Sequence, residues 1–290
     1  MKSITCEVIT PLCSTGNHKK VAELRPTELK GLLRYVYRIT QQNLSSEPLF
    51  KQESEIFGST DFPSPLRLQM RAINLRKENH FVNKRRNIKL QSFKVGSTFN
   101  VTLTLKDKTE NNLQWYINMI ELSFYLFGMG RRARRARGCV MISGSNKSLA
   151  ETKEKILHLL NEILSCKQNK QQIYKLNQNV IKPIKRSNEK RPLIQKIVFG
   201  EPFHEKELNA YLQKVDDASH QIKKDKNTEI DATGHTNLAS AIIVSLTKTK
   251  SGYMPIYTYV KAVYNKTEYD KDCSLRSKFQ NKIERRERKQ

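Results

Sequence analysis

The chain has 290 residues and a formal net charge of +25, from 53 Lys and Arg against 28 Asp and Glu. This excess favours a polyanionic partner, most simply nucleic acid, with an anionic membrane surface as the other candidate. No apolar run approaches the roughly 20 residues that a membrane-spanning helix needs, and the first residues lack the apolar segment of a signal peptide. We therefore expect a cytoplasmic protein with no span through a membrane.

The cysteines are odd in number and scattered, with no CxxC pair, so we expect reduced thiols that mostly pack. They are Cys6, Cys13, Cys139, Cys166 and Cys273. No group of His and Cys has the spacing of a zinc site. We expect neither a metal nor a cofactor.

The first part of the chain begins with a strand and a basic helix. Residues 3–12 alternate apolar and polar side chains, which predicts a half-buried strand. Residues 28–43 carry an apolar stripe at helical spacing, with Thr27 as the predicted N-cap. Basic residues recur every four positions along one edge of this helix, at Lys30, Arg34 and Arg38. Such an edge is often merely solvated, but its place in the chain favours a contact with RNA.

The elements that follow complete a known order of strands and helices. We expect a short helical turn at 53–59, a strand at 65–76, a hairpin or loop at 77–92, a strand at 93–105 and a helix from Asn111. With the strand that begins at Cys139, this order fits a ferredoxin-like, split βαβ arrangement. Antiparallel sheets of this kind often bind RNA.

Residues 128–138, here called the basic loop, contain five arginines within seven residues and lie between the predicted helix and strand. The arginines are Arg131, Arg132, Arg134, Arg135 and Arg137, and the glycines around them are Gly128, Gly130 and Gly138. Arginine presents a planar fork of donors that suits phosphate, and glycine permits close approach of another backbone. A solvated charge run or a localisation signal is the alternative. Placement between two elements that are expected to be buried favours a binding loop held on a scaffold.

The second part alternates helices and strands again. We expect a helix at 149–164, an irregular connection at 168–191, a strand at 193–199, a helix at 203–215, a loop at 216–235, and a hairpin formed by 239–246 and 253–263. Asp216 and Asp217 are then solvated loop carboxylates. These elements divide the chain into units at 1–146 and 147–265, followed by a basic tail at 266–290, of which residues 276–290 are a frayed helix or disordered.

Several short motifs coincide in order and spacing with one family. They are Thr10-Pro11-Leu12, Glu23-Leu24-Arg25-Pro26, Lys30 to Arg38, Glu55-Ile56-Phe57-Gly58-Ser59, the basic loop, and Ala239-Ser240 with the strand after it. Together they resemble the Cmr subunit one family of the RAMP superfamily, whose members are components of type III-B CRISPR effector complexes. The loop departs from the family pattern at Val140, where a further glycine is usual.

The resemblance implies an α+β fold with two ferredoxin-like (RRM-like) units that have antiparallel sheets. It also implies a non-catalytic RNA-binding subunit for antiviral defence, since target cleavage in these complexes belongs to a different subunit. The implied partners are guide RNA, near its 3′ region, target RNA and other Cmr subunits. The predicted RNA-binding residues are those of the basic loop together with Arg25, Lys30, Arg34 and Arg38.

Two alternatives remain open. Some RAMP relatives are metal-independent ribonucleases that process guide precursors with a histidine in an early loop, and His18 occupies such a loop with a side chain that titrates near neutral pH. A solvated histidine is the simpler interpretation, since no partner residues are evident. The other alternative is a different basic scaffold, either ribosome-associated or bound to a membrane surface.

Overall fold

The computed structural model describes residues 1–16, 21–83, 88–106, 110–145, 147–164, 172–224, 239–265 and 267–284. The first half contains β1 (Lys2–Val8), α1 (Pro26–Thr40), α2 (Ser46–Phe57), β2 (Leu66–Asn74), β3 (Lys77–Asn83), β4 (Ile88–Phe93), β5 (Thr98–Leu105), α3 (Glu110–Leu126) and β6 (Val140–Ile142). The expected alternation of helices with antiparallel strands is therefore present.

The first sheet has the order β2-β5-β1-β6, and every pairing in it is antiparallel. With α1 and α3 as the crossovers, this is the strand order of the ferredoxin-like arrangement. Successive side chains along each strand point to opposite faces of the sheet. Cys6, Phe99 and Val101 point to the core, whereas Thr5 and Arg67 point away from it. Helices α1 and α3 cover the apolar face.

Two insertions enlarge this unit. The expected turn at 53–59 is the end of α2, a 12-residue helix that stops at Gly58. Strands β3 and β4 pair antiparallel, in agreement with the hairpin that was one of the two alternatives predicted. The predicted N-cap at Thr27 is wrong: Arg25 is the N-cap and Pro26 opens α1. Proline suits the first helical position because its ring presets φ and no N–H is needed there.

The second half contains α4 (Leu149–Leu164), β7 (Tyr174–Asn177), β8 (Val180–Pro183), β9 (Ile194–Phe199), α5 (Leu208–Lys224), β10 (Ile242–Thr249), β11 (Gly252–Val260), β12 (Ala262–Tyr264), β13 (Thr267–Tyr269) and α6 (Ser274–Glu284). A 3₁₀ turn at Glu205–Glu207 precedes α5. The second sheet has the order β10-β11-β9-β8-β7. The succession β9-α5-β10-β11-α6 follows the ferredoxin-like order, and β8 occupies the position of the last strand although it precedes β9 in the chain.

Three expectations for this half need correction. The segment 168–191 is not an irregular connection throughout, since it contains the β7–β8 hairpin at the sheet edge. Residues 216–224 continue α5 rather than form a loop. The segment 274–284 is a packed helix whose Phe279 and Ile283 are buried, so the helical alternative for the tail is correct here and the disordered one is wrong. The helix was not predicted as a packed element because its sequence is mostly polar and only a few of its residues are buried.

The two halves share buried apolar contacts. One core cluster runs from the first sheet through α3 and α4 to residues of the second sheet such as Ile197 and Ile256. A second cluster joins Ile9 and Cys139 of the first half to α5, β10 and α6. The basic loop contributes to both clusters, with Met129 in the first and Ala136 in the second.

Candidate nucleic-acid interface

The basic loop is held along the edge of the second sheet. It leaves α3 and runs beside β10, which is the outermost strand of that sheet. The amide of Ala136 donates to the carbonyl of Val244 at 2.8 Å, and the amide of Val244 donates to the carbonyl of Arg134 at 3.2 Å. These bonds make a short parallel bridge between the loop and β10. The loop therefore lies between two packed elements, as its placement in the sequence predicts.

Glycine is required in the loop because backbone lies against backbone. At Gly138, φ is +66°, and an added Cβ would lie 1.8 Å from the carbonyl oxygen of Met129. At Gly130, φ is +80°, and an added Cβ would lie 2.6 Å from the carbonyl oxygen of Cys13. Both positions need the left-handed conformation and an absent side chain. The loop consequently has one well-defined path beside Cys13 and the segment after it.

One carboxylate on α5 binds two arginines of the loop. Asp216 accepts from Arg132 at 2.7 Å through Oδ1 and from Arg137 at 2.7 Å through Oδ2. The Arg137 side chain is 5% exposed and that of Arg132 29%. Burial lowers the pKa of Arg137, and the charge of Asp216 opposes this shift. The expectation that Asp216 is a solvated loop carboxylate is therefore wrong, because the helix continues past Val215 and brings it to the loop.

Two further arginines contact the second unit. The Arg135 guanidinium is buried and donates to Ser240 Oγ at 3.0 Å, to the Ile242 carbonyl at 3.2 Å and to Ser219 Oγ at 3.2 Å. Arg134 donates to the carbonyl of Ser240 at 2.6 Å and lies 4.8 Å from the Tyr35 ring centroid. These side chains hold the loop to β10 and α1.

Arg131 differs from the other four arginines because it is exposed and no described residue bonds its guanidinium. Its backbone amide donates to the carbonyl of Cys13 at 2.9 Å, which places it against the segment of residues 13–15. Arg25 reaches the same segment, since its Nη1 donates to the carbonyl of Thr15 at 3.2 Å. The structure thus brings the Arg25 guanidinium and the Arg131 backbone, from distant parts of the chain, to one short segment at residues 13–15.

The basic edge of α1 lies on a different side of the helix from the basic loop. Arg34 Nη1 donates to the Gly58 carbonyl at 2.7 Å, and Arg38 donates to Glu53 at 2.8 Å. Lys30 donates to Ser64 Oγ at 2.6 Å. These residues face α2 and the segment after it, whereas Tyr35 faces Arg134 of the loop.

The basic edge and the basic loop therefore contact different sides of α1. The carboxylate of Glu53 is within ion-pair distance of two members of the edge, at 3.2 Å from Arg34 and 2.8 Å from Arg38. Burial and the charge of Arg34 lower the pKa of Lys30.

The β3–β4 hairpin lies beside the loop on its buried side. Burial and the Arg137 guanidinium lower the pKa of His80 to about 4, so its imidazole is neutral at physiological pH. Burial raises the pKa of Cys13 to about 11, against the opposing effect of Arg137. A thiol with this pKa is protonated and therefore a poor nucleophile.

Other sequence-based expectations have the following outcomes. His18 lies outside the described residues. Among the described residues there is no group of three His, Cys, Asp or Glu side chains placed to hold a metal ion, and no helix long and apolar enough to cross a membrane. Trp115 packs among aromatic side chains, with its ring 5.2 Å from that of Tyr116 and 6.2 Å from that of Tyr37.

Asp216 and Ser219 bond arginines of the loop, and the sequence patterns did not predict either contact. A signal was present: the apolar stripe of α5 continues at helical spacing through Val215, Ala218 and Ile222. Had the helix been extended to Ile222, the acidic pair would have been placed on it. No pattern in the sequence shows that this helix packs on the basic loop.

Comparison with known proteins gives a family for the first half and a fold for the whole chain. Residues 5–140 match the RAMP superfamily. None of the curated protein sequences matches the chain significantly. Cmr1 from Pyrococcus furiosus in its apo form is 15% identical, with a TM-score of 0.59 over 97% of this chain and 95% of that one.

A chain of a type III-B Cmr-beta complex bound to cognate target RNA and AMPPnP in the presence of ssDNA is 14% identical, with a TM-score of 0.58 over 97% of this chain and 98% of that one. A chain of such a complex bound to cognate target RNA is 13% identical, with a TM-score of 0.56 over 97% and 99%. At these identities the likeness concerns the fold. It confirms the α+β class, and the match at residues 5–140 agrees with the resemblance to RAMP proteins found in the sequence.

Proposed function

We propose that this protein is a non-catalytic RNA-binding subunit of a type III-B CRISPR ribonucleoprotein, because residues 5–140 match the RAMP superfamily and the whole chain has a fold similar to that of Cmr1. In this proposal it helps to hold the 3′ region of the guide RNA and the target RNA in the cytoplasm, in contact with other Cmr subunits. Two of the solved complexes with this fold contain target RNA, which supports RNA as the partner.

The observation that carries the proposal is the pair Arg25 and Arg131. Both side chains are exposed; the Arg25 guanidinium donates to the Thr15 carbonyl, and the Arg131 backbone amide donates to the Cys13 carbonyl. A guanidinium in water that has no carboxylate partner is available to a phosphate oxygen, with which it makes a bidentate pair. The rigid backbone beneath these residues fixes their spacing before RNA arrives, so little conformational entropy is lost on binding.

The remaining arginines of the loop have a different role in this proposal. Arg135 and Arg137 are buried against α5 and β10, so they hold the loop in place. Arg132 and Arg134 are partly exposed and can add to the positive potential while they keep their protein partners. The edge formed by Lys30, Arg34 and Arg38 contributes a weaker potential on another side of α1, since Glu53 neutralises part of it.

The test compares two variants with the same change in net charge. Arg25→Gln with Arg131→Gln removes the proposed phosphate contacts. Arg67→Gln with Arg71→Gln removes two exposed arginines of β2 that no described residue bonds. Binding of a single-stranded guide RNA is measured by filter binding at several salt concentrations, and the RNA is recovered to check that it remains uncut.

We expect the first variant to lower the slope of log K against log salt by about 1.4, since each phosphate contact on a single strand contributes roughly 0.7. The second variant should change the slope little. Equal slopes for both variants would contradict the assignment of these residues, and specific cutting of the RNA would contradict the non-catalytic role. Co-purification from the native host, with Cmr subunits and guide RNA as the expected companions, tests the place in the complex.

A further inference from the structure

A cleft in the second half has the chemistry of a small-ligand site that lies apart from the basic loop. It has a volume of about 240 Å³ and lies where the segment after β8, the start of β9 and the β12–β13 hairpin meet the residues that follow α1. Pockets for drug-sized ligands start at about 300 Å³, so this cleft suits a smaller molecule or the end of a larger one. The 15 residues of α1 separate it from Arg25 by about 22 Å along the helix.

The rim of the cleft carries unneutralised positive charge. Arg186 and Lys271 are exposed, and within the described parts of the chain no side chain or carbonyl binds either charged group. Lys261 lies deeper and is held by the carbonyl of Glu189 at 3.0 Å and by Glu268 at 3.4 Å. Since Glu268 is paired with Lys261, two positive charges on the rim remain in excess. An anion is the complementary ligand.

The inner part of the cleft combines an apolar surface with a fixed hydrogen-bond acceptor. Leu193 and Ile194 are buried and line it. Gln42 is only 4% exposed, and its Nε2 donates to Tyr174 Oη at 2.8 Å and to the Ile194 carbonyl at 2.9 Å. Because Tyr174 Oη already donates to the Thr40 carbonyl at 3.0 Å, the amide of Gln42 is held in one orientation. Its Oε1, to which no described group donates, is left for a ligand.

We propose that this cleft binds a phosphorylated ribonucleoside. The phosphate would contact Arg186 and Lys271 at the rim, the flat base would cover the apolar surface, and an N–H or hydroxyl group would donate to Gln42 Oε1. A bare inorganic anion would use only the rim. The same chemistry is offered by a free mononucleotide and by the terminal nucleotide of an RNA, and the site does not depend on the path that RNA takes at the basic loop.

The first experiment measures binding of uridine and adenosine monophosphates to the full-length protein by isothermal titration calorimetry, with inorganic phosphate as the comparison. Arg186→Gln with Lys271→Gln should weaken nucleotide binding by about three- to thirtyfold, as expected for the loss of two solvent-exposed charge pairs. The matched control is Arg67→Gln with Lys214→Gln, which removes the same charge from exposed sites on β2 and α5. Equal weakening by both variants would overturn the proposal.

Gln42→Leu tests the nucleoside part of the ligand, and it should weaken binding of both nucleotides while that of inorganic phosphate is unchanged. Phosphate binding as tight as nucleotide binding would overturn the nucleoside assignment. The source is identified by displacing a labelled mononucleotide with linear or circular RNA of one sequence. Displacement by the linear form alone assigns the site to an RNA end, whereas displacement by neither form assigns it to a free nucleotide; either result supports the site. Displacement by both forms would contradict both sources.

Discussion

Removal of the charge of Asp216 should separate the arginines that hold the basic loop from the one that is available to RNA. Asp216→Asn keeps the size of the side chain and one acceptor oxygen but leaves the buried Arg137 without a counter-charge. Both ion pairs of Asp216 measure 2.7 Å. The partner on the exposed side, Arg132, retains access to water.

The magnitude follows from the burial of the two arginines. Removal of one partner from a buried ion pair costs about 3–5 kcal/mol, because the other charge stays buried. Arg137 keeps the carbonyls of Arg135 and Leu212 as acceptors, at 3.1 and 3.4 Å, and the new amide still accepts one hydrogen bond. We therefore expect Asp216→Asn to lower the free energy of unfolding by about 2–4 kcal/mol. Arg132→Gln should cost less than about 1 kcal/mol, as partly exposed pairs do.

Urea unfolding provides the assay, followed by circular dichroism and by the fluorescence of Trp115, the only tryptophan in the chain. Asp217→Asn is the matched control, since this neighbour on α5 accepts from Gln213 at 3.0 Å within its own helix. Its expected cost is below about 0.5 kcal/mol. If Asp216→Asn and Asp217→Asn lowered the free energy of unfolding equally, the argument that Asp216 holds the loop through a buried guanidinium would be refuted.

Three other predictions concern stability. Burial and a nearby guanidinium lower the pKa of His80 to about 4, so the folded state takes up a proton less readily than the unfolded state. The free energy of unfolding should therefore fall by about 1–2 kcal/mol, allowing for solvent screening, as the pH is lowered from 6.5 to 4. His80→Gln should remove this part of the pH dependence in urea titrations at each pH; an unchanged pH dependence would contradict it. Gly138→Ala should lower the free energy of unfolding by more than about 3 kcal/mol or prevent folding. The control Gly144→Ala should cost only about 1–2 kcal/mol, because φ is +80° there but nothing lies within 4 Å of an added Cβ. Equal shifts in the melting temperature for the two variants would contradict the steric account. Arg276→Met should lower the free energy of unfolding, measured in urea, by about 3–5 kcal/mol, because it leaves the buried carboxylate of Asp270 without its partner at 2.8 Å. A loss below about 1 kcal/mol would contradict this expectation.

Sequence periodicity was sufficient for most elements of the first half. The alternation in β1 and β5 and the apolar stripe of α1 each correspond to one buried face, so local patterns reveal them. The N-cap was wrongly assigned to Thr27 because two preferences compete at neighbouring positions. The preference of proline for the first helical position outweighs the preference of threonine for the N-cap. The β7–β8 hairpin was missed because four-residue strands at a sheet edge bury only one or two side chains each.

The composition of the basic loop was also evident from the sequence, and so was its position between a buried helix and a strand. The sequence did not reveal which of these arginines is free to contact RNA. Arg132 and its carboxylate partner are 84 positions apart. Whether a guanidinium faces water or a carboxylate depends on how α5 packs on the loop, and side-chain packing over such a distance leaves no periodic signal in the chain.

By itself, the sequence determined that this protein is a strongly basic α+β chain with one arginine-rich loop between two elements that pack. Only the tertiary structure decided that most of that loop contacts α5, β10 and α1, that the Arg131 backbone and the Arg25 guanidinium bond the same short segment, and that Gln42 and Arg186 line one cleft. The physical reason is that charge and hydropathy patterns act over a few residues, whereas burial, ion pairing and clefts depend on the contacts between segments far apart in the chain.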